Sequence, residues 1–246
     1  MRELKENEYI KDDKIWCSVC NTPKQMTIKG ILIECGCKCK QDAIHAERKK
    51  ERDAIIKENH RKCYAELGSE NLERYRRCLK NLEQNQFTDK AAGYVEHFED
   101  YAANGTGLLL VGDVGTGKST LASAIANELL LQGYTVKFTN FSHIMDVYES
   151  KDNNVKKLNY LESLNRYHVL VIDDYGIERK SSAMQELIYK VINGRYEAKK
   201  PMIITTNKNP EPNNLDERRV FDRIISVCHR IKMDGESRRL AEAKAL

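Results

Sequence analysis

From about Phe87 onward, apolar runs of strand length alternate along the chain with apolar patterns of helical period. In order, these runs are GLLLVG, TLASAIANELLLQG, TVKFTN, LNYLESL, HVLVIDD, AMQELIYKVINGRYE and PMIITTN. Such alternation is typical of parallel strands covered by helices. The pattern therefore predicts an α/β fold with a parallel sheet flanked by helices. Gly133 follows the first helical run, where glycine best adopts the left-handed conformation that ends a helix.

Two different patterns precede this alternation. Residues 1–40 contain a cluster of cysteines and one run with β-branched character, KGILIE, which we expect to be half of a hairpin. This segment has too few apolar residues for a core of its own. From Lys40 to about Leu82 the chain is strongly charged and favours helix, with an interruption at Gly68 and a candidate N-cap at Ser69. We predict one or two solvated linker helices there.

The predicted division of the chain has three parts: a small cysteine-rich module at 1–40, a charged helical linker at 41–82 and an α/β domain at 83–246. The 41 basic residues barely outnumber the 37 acidic ones, so net charge alone does not indicate nucleic-acid binding. No run approaches the roughly 18 consecutive apolar residues of a membrane span. The charged N-terminus lacks the apolar core of a secretory signal, and we expect a cytoplasmic protein without a membrane partner.

A glycine-rich loop follows the strand GLLLV, precedes a helix and matches the pattern G-x-x-x-x-G-K-[ST]. Its glycines let backbone N–H groups converge on phosphates, helped by the positive end of the helix. We expect Lys118 to neutralise the β and γ oxygens of ATP and Ser119 to bind Mg²⁺. The predicted nucleotide-binding residues are Gly112, Asp113, Val114, Gly115, Thr116, Gly117, Lys118, Ser119 and Thr120.

Polar residues end two of the later strands. HVLVIDD ends in Asp173, which we expect to hold the magnesium, and Asp174, which we expect to orient the attacking water. A simple solubilising role for Asp174 is the alternative. PMIITTN ends in Asn207, whose amide could position water or touch the γ-phosphate, or be only a polar residue at a strand end.

Four stretches in this order, LLLVGDVGTGKSTLASAIANEL, VLVIDDYGIE, ELIYKVINGRYEAKKPMIITTN and RRVFDRI, resemble the helicase-loader branch of the AAA+ ATPases. This branch comprises the DnaC/DnaI-type loaders and their relatives, the IstB-type transposition helper ATPases. The resemblance covers about Phe87 to Leu246. It implies an AAA+ P-loop NTPase fold, with Gly112 to Ser119 as Walker A and Asp173 with Asp174 as Walker B.

The resemblance also implies roles for residues that spacing alone does not assign. Asn207 falls at sensor 1, Arg223 matches the arginine finger that reaches the next subunit's nucleotide, and Arg239, or else Arg238, matches the sensor 2 arginine. Many AAA+ proteins have Glu where this chain has Asp174, so we expect slow hydrolysis. A finger acting between subunits implies a self-oligomer through the AAA+ domain, with hydrolysis stimulated by assembly or DNA.

The cysteine cluster suits a metal. Cys17 and Cys20 form a C-x2-C knuckle, and Cys35, Cys37 and Cys39 follow in ECGCKCK. Four of these five thiolates suit tetrahedral Zn²⁺, whose binding would supply folding free energy to this core-poor segment. Which two of the last three bind is open. Free thiols, a redox pair and an iron–sulfur cluster are the alternatives.

The function implied by the resemblance is ATP-dependent loading of a hexameric DnaB-type replicative helicase onto single-stranded DNA during replication initiation. The zinc module would be the helicase adaptor, as in the architecture of DnaI-type and phage loaders, in a bacterial cell or a phage-infected host. An IstB-type transposition helper and a nucleotide-gated adaptor with little turnover are the alternatives. DNA contact rests mainly on the resemblance; Phe141 and Tyr148 could stack on bases, although packing is the commoner role for such residues.

Overall fold

The computed structural model of the chain describes residues 4–65, 77–177, 181–207 and 215–235. The chain separates into two units, Met1–Lys57 and Glu58–Leu246. The predicted N-cap Ser69 and the two sensor 2 candidates, Arg238 and Arg239, lie outside the described residues.

The N-terminal unit contains two antiparallel hairpins and most of the helix that follows them. Strands β1 (Glu8–Lys11) and β2 (Lys14–Cys17) make the first, and β3 (Gln25–Ile28) and β4 (Ile31–Glu34) make the second. Each has a two-residue turn with positive φ at both positions, Asp12–Asp13 and Lys29–Gly30, as tight hairpins require. The hairpin predicted at KGILIE is confirmed, whereas the first hairpin was not predicted because its strands are short and half charged.

Helix α1 (Lys38–Cys63) carries the charged segment, and most of its side chains are exposed, as predicted for a solvated helix. The C-terminal end of α1 is buried, unlike the rest of this solvated helix. Cys63 and Tyr64 are fully buried, and the Tyr64 hydroxyl donates to Asn127 Oδ1 at 2.9 Å. The Tyr64 ring also lies 5.4 Å from that of Phe138. The last turn of α1 is therefore part of the core of the second unit.

The second unit contains a five-stranded parallel sheet in the order β6-β7-β8-β5-β9. Its strands are β5 (Gly107–Val111), β6 (Val136–Thr139), β7 (Val169–Tyr175), β8 (Met202–Thr206) and β9 (Cys228–Lys232). A 3-10 turn (Leu79–Asn81) precedes helices α2 (Gln86–Glu96), α3 (Phe98–Asn104), α4 (Lys118–Leu131), α5 (Phe141–Glu149), α6 (Asn154–Leu164), α7 (Ser182–Glu197) and α8 (Leu215–Val227). The predicted α/β fold is confirmed. No helix in the described ranges is long and apolar enough to cross a membrane.

Strands β5 and β8 and the first five residues of β7 are buried on both faces, which explains why they are continuous apolar runs. Alternate residues of β5 enter opposite cores: Leu108 and Leu110 pack with α4, whereas Leu109 and Val111 pack in the cluster that α5, α7 and α8 cover. Gly133, at φ 97, ends α4 as predicted.

A buried arginine ties the amino ends of two strands together. Arg195 on α7 is fully buried, and its guanidinium donates to the carbonyl oxygens that surround it. These acceptors are Leu164, Tyr167, His168 and Pro201. Arg195 therefore fixes the segments that lead into β7 and β8, at the edge of the sheet opposite their carboxyl ends.

The order of the strands brings the predicted motifs together. Strand β8 lies between β5 and β7, and its last residue, Thr206, pairs with Val111 of β5 and with Tyr175 of β7. The carboxyl ends of these three strands lie side by side. In open parallel sheets this edge is where ligands bind.

Candidate nucleotide site and cysteine cluster

The glycine-rich loop connects the end of β5 to the start of α4. Gly115 and Gly117 have φ values of 88° and 93°, in the left-handed region that favours glycine. Gly112 is required for another reason: a Cβ atom there would lie 2.2 Å from the carbonyl oxygen of Met233. The Met233 N–H in turn donates to the Val111 carbonyl at 2.6 Å. The chain after β9 therefore packs directly against the start of the loop.

Lys118 lies inside this loop rather than in solvent. Its side chain is buried, and Nζ donates to the carbonyl oxygens of Gly112 at 2.9 Å and Asp113 at 2.7 Å. The Thr116 hydroxyl donates to the same Asp113 oxygen at 2.9 Å. The loop is thus folded around an ammonium group at the amino end of a helix, an arrangement that suits phosphate oxygens.

The other residues predicted to bind nucleotide lie in the loop and in the first turn of α4. Ser119 and Thr120, in the first turn of α4, are half-buried, whereas Asp113 and Val114 at the tip of the loop are exposed. The role of half-buried Ser119 as a magnesium ligand stays a prediction.

The acid pair lies at a bulge in β7. Asp173 is buried, and its Oδ1 accepts a hydrogen bond from the Thr205 hydroxyl at 2.6 Å. Asp174 is half-buried with φ 55, and its N–H donates to the same Thr205 hydroxyl at 2.8 Å. Thr205 was not among the residues predicted from the sequence. The feature that could have indicated it is the pair of threonines that ends an otherwise apolar strand, directly before Asn207.

Asn207 follows β8 directly and is half-buried. The residue before it, Thr206, accepts a hydrogen bond from the N–H of Gly112 at 3.3 Å through its carbonyl oxygen. Asn207 therefore follows the strand that lies, in the sheet, between β5, which leads into the loop, and β7, which carries the acids. Its contact with a nucleotide stays a prediction.

A small cleft opens beside the loop. Its walls come from the segment before α2 and the first turn of that helix, from the start of α4 and from the chain after β9. The lining residues are Leu82, Asn85, Phe87, Thr88, Gly117, Thr120, Leu121 and Met233. Four of these eight residues, Leu82, Phe87, Leu121 and Met233, have large apolar side chains, and Asn85, Thr88 and Thr120 have polar ones. The sequence pattern gave no signal for this wall, because its residues come from three separate segments.

Arg223 packs against α7. Its Nε donates to Asn193 Oδ1 at 2.8 Å and one terminal nitrogen donates to the Arg219 carbonyl at 2.9 Å. The guanidinium carbon lies 5.2 Å from the ring centre of Tyr189 and 5.7 Å from that of Tyr196. These are cation–π contacts. The assignment of Arg223 as a finger for a neighbouring subunit stays a prediction.

Phe141 does not offer a base-stacking surface. It is fully buried, with its ring 5.9 Å from that of Tyr175, because it begins α5 with its side chain in the core beside β7. Tyr148 is half-buried, with Lys157 Nζ 5.1 Å from its ring centre. The packing interpretation of Phe141 is the right one.

In the N-terminal unit, four of the five predicted cysteines come together. The sulfur atoms of Cys17, Cys20, Cys37 and Cys39 all lie within 4.8 Å of one another. In a tetrahedral zinc site with Zn–S bonds of about 2.3 Å, sulfur atoms are about 3.8 Å apart. The pairs Cys17–Cys39 and Cys37–Cys39 are at 3.7 Å and 3.3 Å. The cluster therefore fits a zinc ion.

Cys35 is not a member of this cluster. Its N–H donates to the Lys24 carbonyl at 2.6 Å, and its sulfur is directed at the Pro23 carbonyl oxygen at 3.7 Å. The contacts at the end of β4 therefore keep the Cys35 sulfur out of the cluster. Of the last three cysteines, Cys37 and Cys39 are the two whose sulfur atoms join Cys17 and Cys20.

Hydrogen bonds in and around the cluster shift the pKa values of its thiols. A hydrogen bond from the Thr22 hydroxyl lowers the pKa of Cys20 to about 6, whereas hydrogen bonding to Cys37 and Cys20 raises the pKa of Cys39 to about 12. Four thiolates at this spacing repel one another, and a divalent cation at the centre would stabilise all of them.

Comparison with known proteins gives a consistent family. Residues 49–245 match the family described as IstB-like ATP binding protein. The replicative helicase loader DnaC of Escherichia coli is 33% identical over 138 residues, 55% of each chain. An insertion-sequence ATP-binding protein of Mycobacterium tuberculosis is 27% identical over 141 residues, 55% of this chain and 56% of its own.

A solved structure supports the fold. The crystal structure of DnaI superposes with a TM-score of 0.55 at 24% identity, over 68% of this chain and 93% of that one. The chain spans about half the length of the curated relatives that it matches. The family match begins at residue 49, so the cysteine cluster lies outside it.

Proposed function

Because the chain belongs to the IstB-like ATP-binding protein family, we propose that it is an ATP-dependent loader of a hexameric DnaB-type replicative helicase. It would deliver this helicase to single-stranded DNA during replication initiation. The DnaC relative supports the loading activity. The observation that supports nucleotide binding is the placement of buried Lys118, which follows β5, and the pair Asp173–Asp174, which ends β7, at the same edge of the sheet on either side of β8.

ATP would bind with its phosphates in the glycine-rich loop. Phosphate oxygens would replace the carbonyl oxygens of Gly112 and Asp113 as acceptors for Lys118 Nζ. The apolar side chains of half-buried Leu82 and buried Met233, in the adjacent cleft, suit the base. The loop would thus bind the charged phosphates, and the cleft would contact the base.

Ser119 and Asp173 would hold Mg²⁺, which supplies charge neutralisation between the phosphates. Asp174 would accept a proton from, or orient, the attacking water, and Asn207 would help to place that water. Asp174 is one methylene shorter than glutamate, so we expect its reach to limit the rate.

Turnover would depend on assembly. Arg223 would offset developing negative charge at the nucleotide of a neighbouring subunit. To do so it must leave Asn193, Tyr189 and Tyr196. A single subunit has no neighbour to supply this arginine, so it would hydrolyse ATP slowly. Arg239, or else Arg238, would complete the site as the sensor 2 arginine.

The cysteine cluster would bind Zn²⁺ through Cys17, Cys20, Cys37 and Cys39 and would act as the helicase adaptor. We assign residues 1–40 to this module, 41–82 to the linker and 83–246 to the AAA+ ATPase domain. The protein would work in the cytoplasm of a bacterial cell or a phage-infected host.

The second candidate is a transposition helper that assembles on duplex DNA and recruits a transposase. The insertion-sequence relative from Mycobacterium tuberculosis favours it. The cysteine cluster argues against it, since it lies outside the range of the family match and adds a module to the ATPase. A nucleotide-gated adaptor with little turnover differs from the loader only in its rate.

The decisive experiment is co-elution of the full chain with the replicative helicase of its own cell or phage, in ATP and Mg²⁺, before and after zinc chelation. The loader proposal predicts a stable complex that is lost on chelation. ATP-dependent filaments on duplex DNA, without a helicase complex, would instead support the transposition helper.

Matched cysteine variants make this test specific. Cys37→Ser should lose both zinc and helicase binding, because its sulfur belongs to the cluster. Cys35→Ser should keep both, because its sulfur is directed at Pro23 instead. Lys118→Ala should abolish ATP binding and leave helicase binding intact. Loss of the helicase complex in Cys35→Ser, or its persistence in zinc-free Cys37→Ser, would contradict the adaptor role.

A further inference from the structure

We propose that Thr205 is the positioning residue for the acid pair, holding Asp173 and Asp174 in their working orientation through one hydroxyl group. This inference rests on the proposed function, in which these carboxylates serve Mg²⁺ and the attacking water. Thr205 is fully buried on β8, one residue before the strand ends. It lies outside the HVLVIDD motif whose residues it contacts.

The position of Thr205 follows from an irregularity between the strands. Ile172 of β7 pairs with Ile204 of β8, but the next pair is Tyr175 with Thr206. Two residues of β7, Asp173 and Asp174, therefore stand opposite Thr205. Such a two-against-one arrangement is a β-bulge, which re-aims side chains and often lies beside functional sites.

A single hydroxyl serves both residues of the bulge. Thr205 Oγ1 donates to Asp173 Oδ1 at 2.6 Å and accepts from the Asp174 N–H at 2.8 Å. A hydroxyl has one hydrogen and two lone pairs, so both bonds can exist together. The bond to the carboxylate is short, as expected when the acceptor is charged.

Each bond controls a different degree of freedom. The bond to Asp173 fixes the rotation of the carboxylate that would face the metal. The bond to the Asp174 N–H anchors a residue whose φ of 55° is left-handed, a conformation that non-glycine residues keep only when their surroundings impose it. Without the hydroxyl, the Asp173 carboxylate and the Asp174 backbone each lose a hydrogen bond to β8.

Valine is the appropriate substitution, because it matches the shape of threonine and lacks the hydroxyl. Thr205→Val should raise the Mg²⁺ concentration needed to tighten binding of a non-hydrolysable ATP analogue by about 10–100-fold, the effect typical of residues that orient metal ligands. It should lower kcat more than it raises KM. Nucleotide binding in EDTA should be unchanged, because the phosphate loop is untouched.

Two further variants separate positioning from packing. Thr205→Ser keeps the hydroxyl and should restore most of the Mg²⁺ response. Thr139→Val removes the hydroxyl of an equally buried threonine on β6, which donates to the Asn140 carbonyl at 3.4 Å, and should leave the Mg²⁺ response unchanged.

A wild-type Mg²⁺ requirement in Thr205→Val would overturn the proposal, as would an equal defect in Thr205→Ser with normal binding in EDTA. The proposed function can fail separately. If the wild-type chain binds nucleotide with Mg²⁺ but never hydrolyses it, the loader mechanism is wrong, and the Mg²⁺ titration still decides the role of Thr205.

Discussion

Gly112→Ala tests whether the close approach of the chain after β9 shapes the phosphate loop. The added Cβ would lie 2.2 Å from the Met233 carbonyl oxygen, where contacts below 3.0 Å essentially never occur. The atoms must therefore separate by about 1 Å or more, and overpacking of this kind costs about 1–3 kcal/mol. A displacement of about 1 Å at a reacting centre can reduce activity about 100-fold.

A matched variant separates the two effects. Gly107→Ala would place its Cβ 1.9 Å from the Met202 carbonyl oxygen, at the other end of the same strand. Both variants should lose about 1–3 kcal/mol of unfolding free energy, measured by urea titration. Only Gly112→Ala should weaken ATP binding, by about tenfold or more, as measured with a fluorescent ATP analogue below both melting temperatures. Equal ATP affinities in the two variants would refute the reasoning.

The remaining predictions concern two arginines. Arg223→Ala should leave nucleotide affinity nearly unchanged and remove the stimulation of ATP hydrolysis by assembly, measured as turnover against protein concentration; persistent stimulation would show that Arg223 is not the finger. Arg195→Met should lower the unfolding free energy in urea by about 3–5 kcal/mol, because buried carbonyl groups lose a charged donor. A loss below about 1 kcal/mol, the usual effect of a surface change, would contradict its clamping role.

Local patterns predicted the parts of the site that are local in the chain. The phosphate loop, the acids and Asn207 follow apolar strands that the alternation of runs identifies. Parallel strands ending at one edge then bring these motifs together. For the same reason, the parallel sheet itself could be predicted before the order of its strands was known.

The contacts that shape the site depend on register and packing, which no local pattern contains. Thr205 meets the acids only because β7 has a bulge, and Gly112 meets Met233 only because β9 lies beside β5. The strand β9 itself was missed, because its sequence, CHRIK, alternates apolar and charged residues as an edge strand does. Cys35 could be separated from Cys37 only once the end of β4 was placed.

The burial of two cysteines makes the proposed zinc binding measurable by thiol modification. Cys63 and Cys228 lie in the core of the second unit, and burial raises the pKa of each thiol to about 12. A maleimide added to the folded protein should therefore modify neither of them. An increase in the number of modified thiols upon chelation would then come from the cysteine cluster. One mass spectrum per sample would therefore measure the zinc occupancy of the cluster.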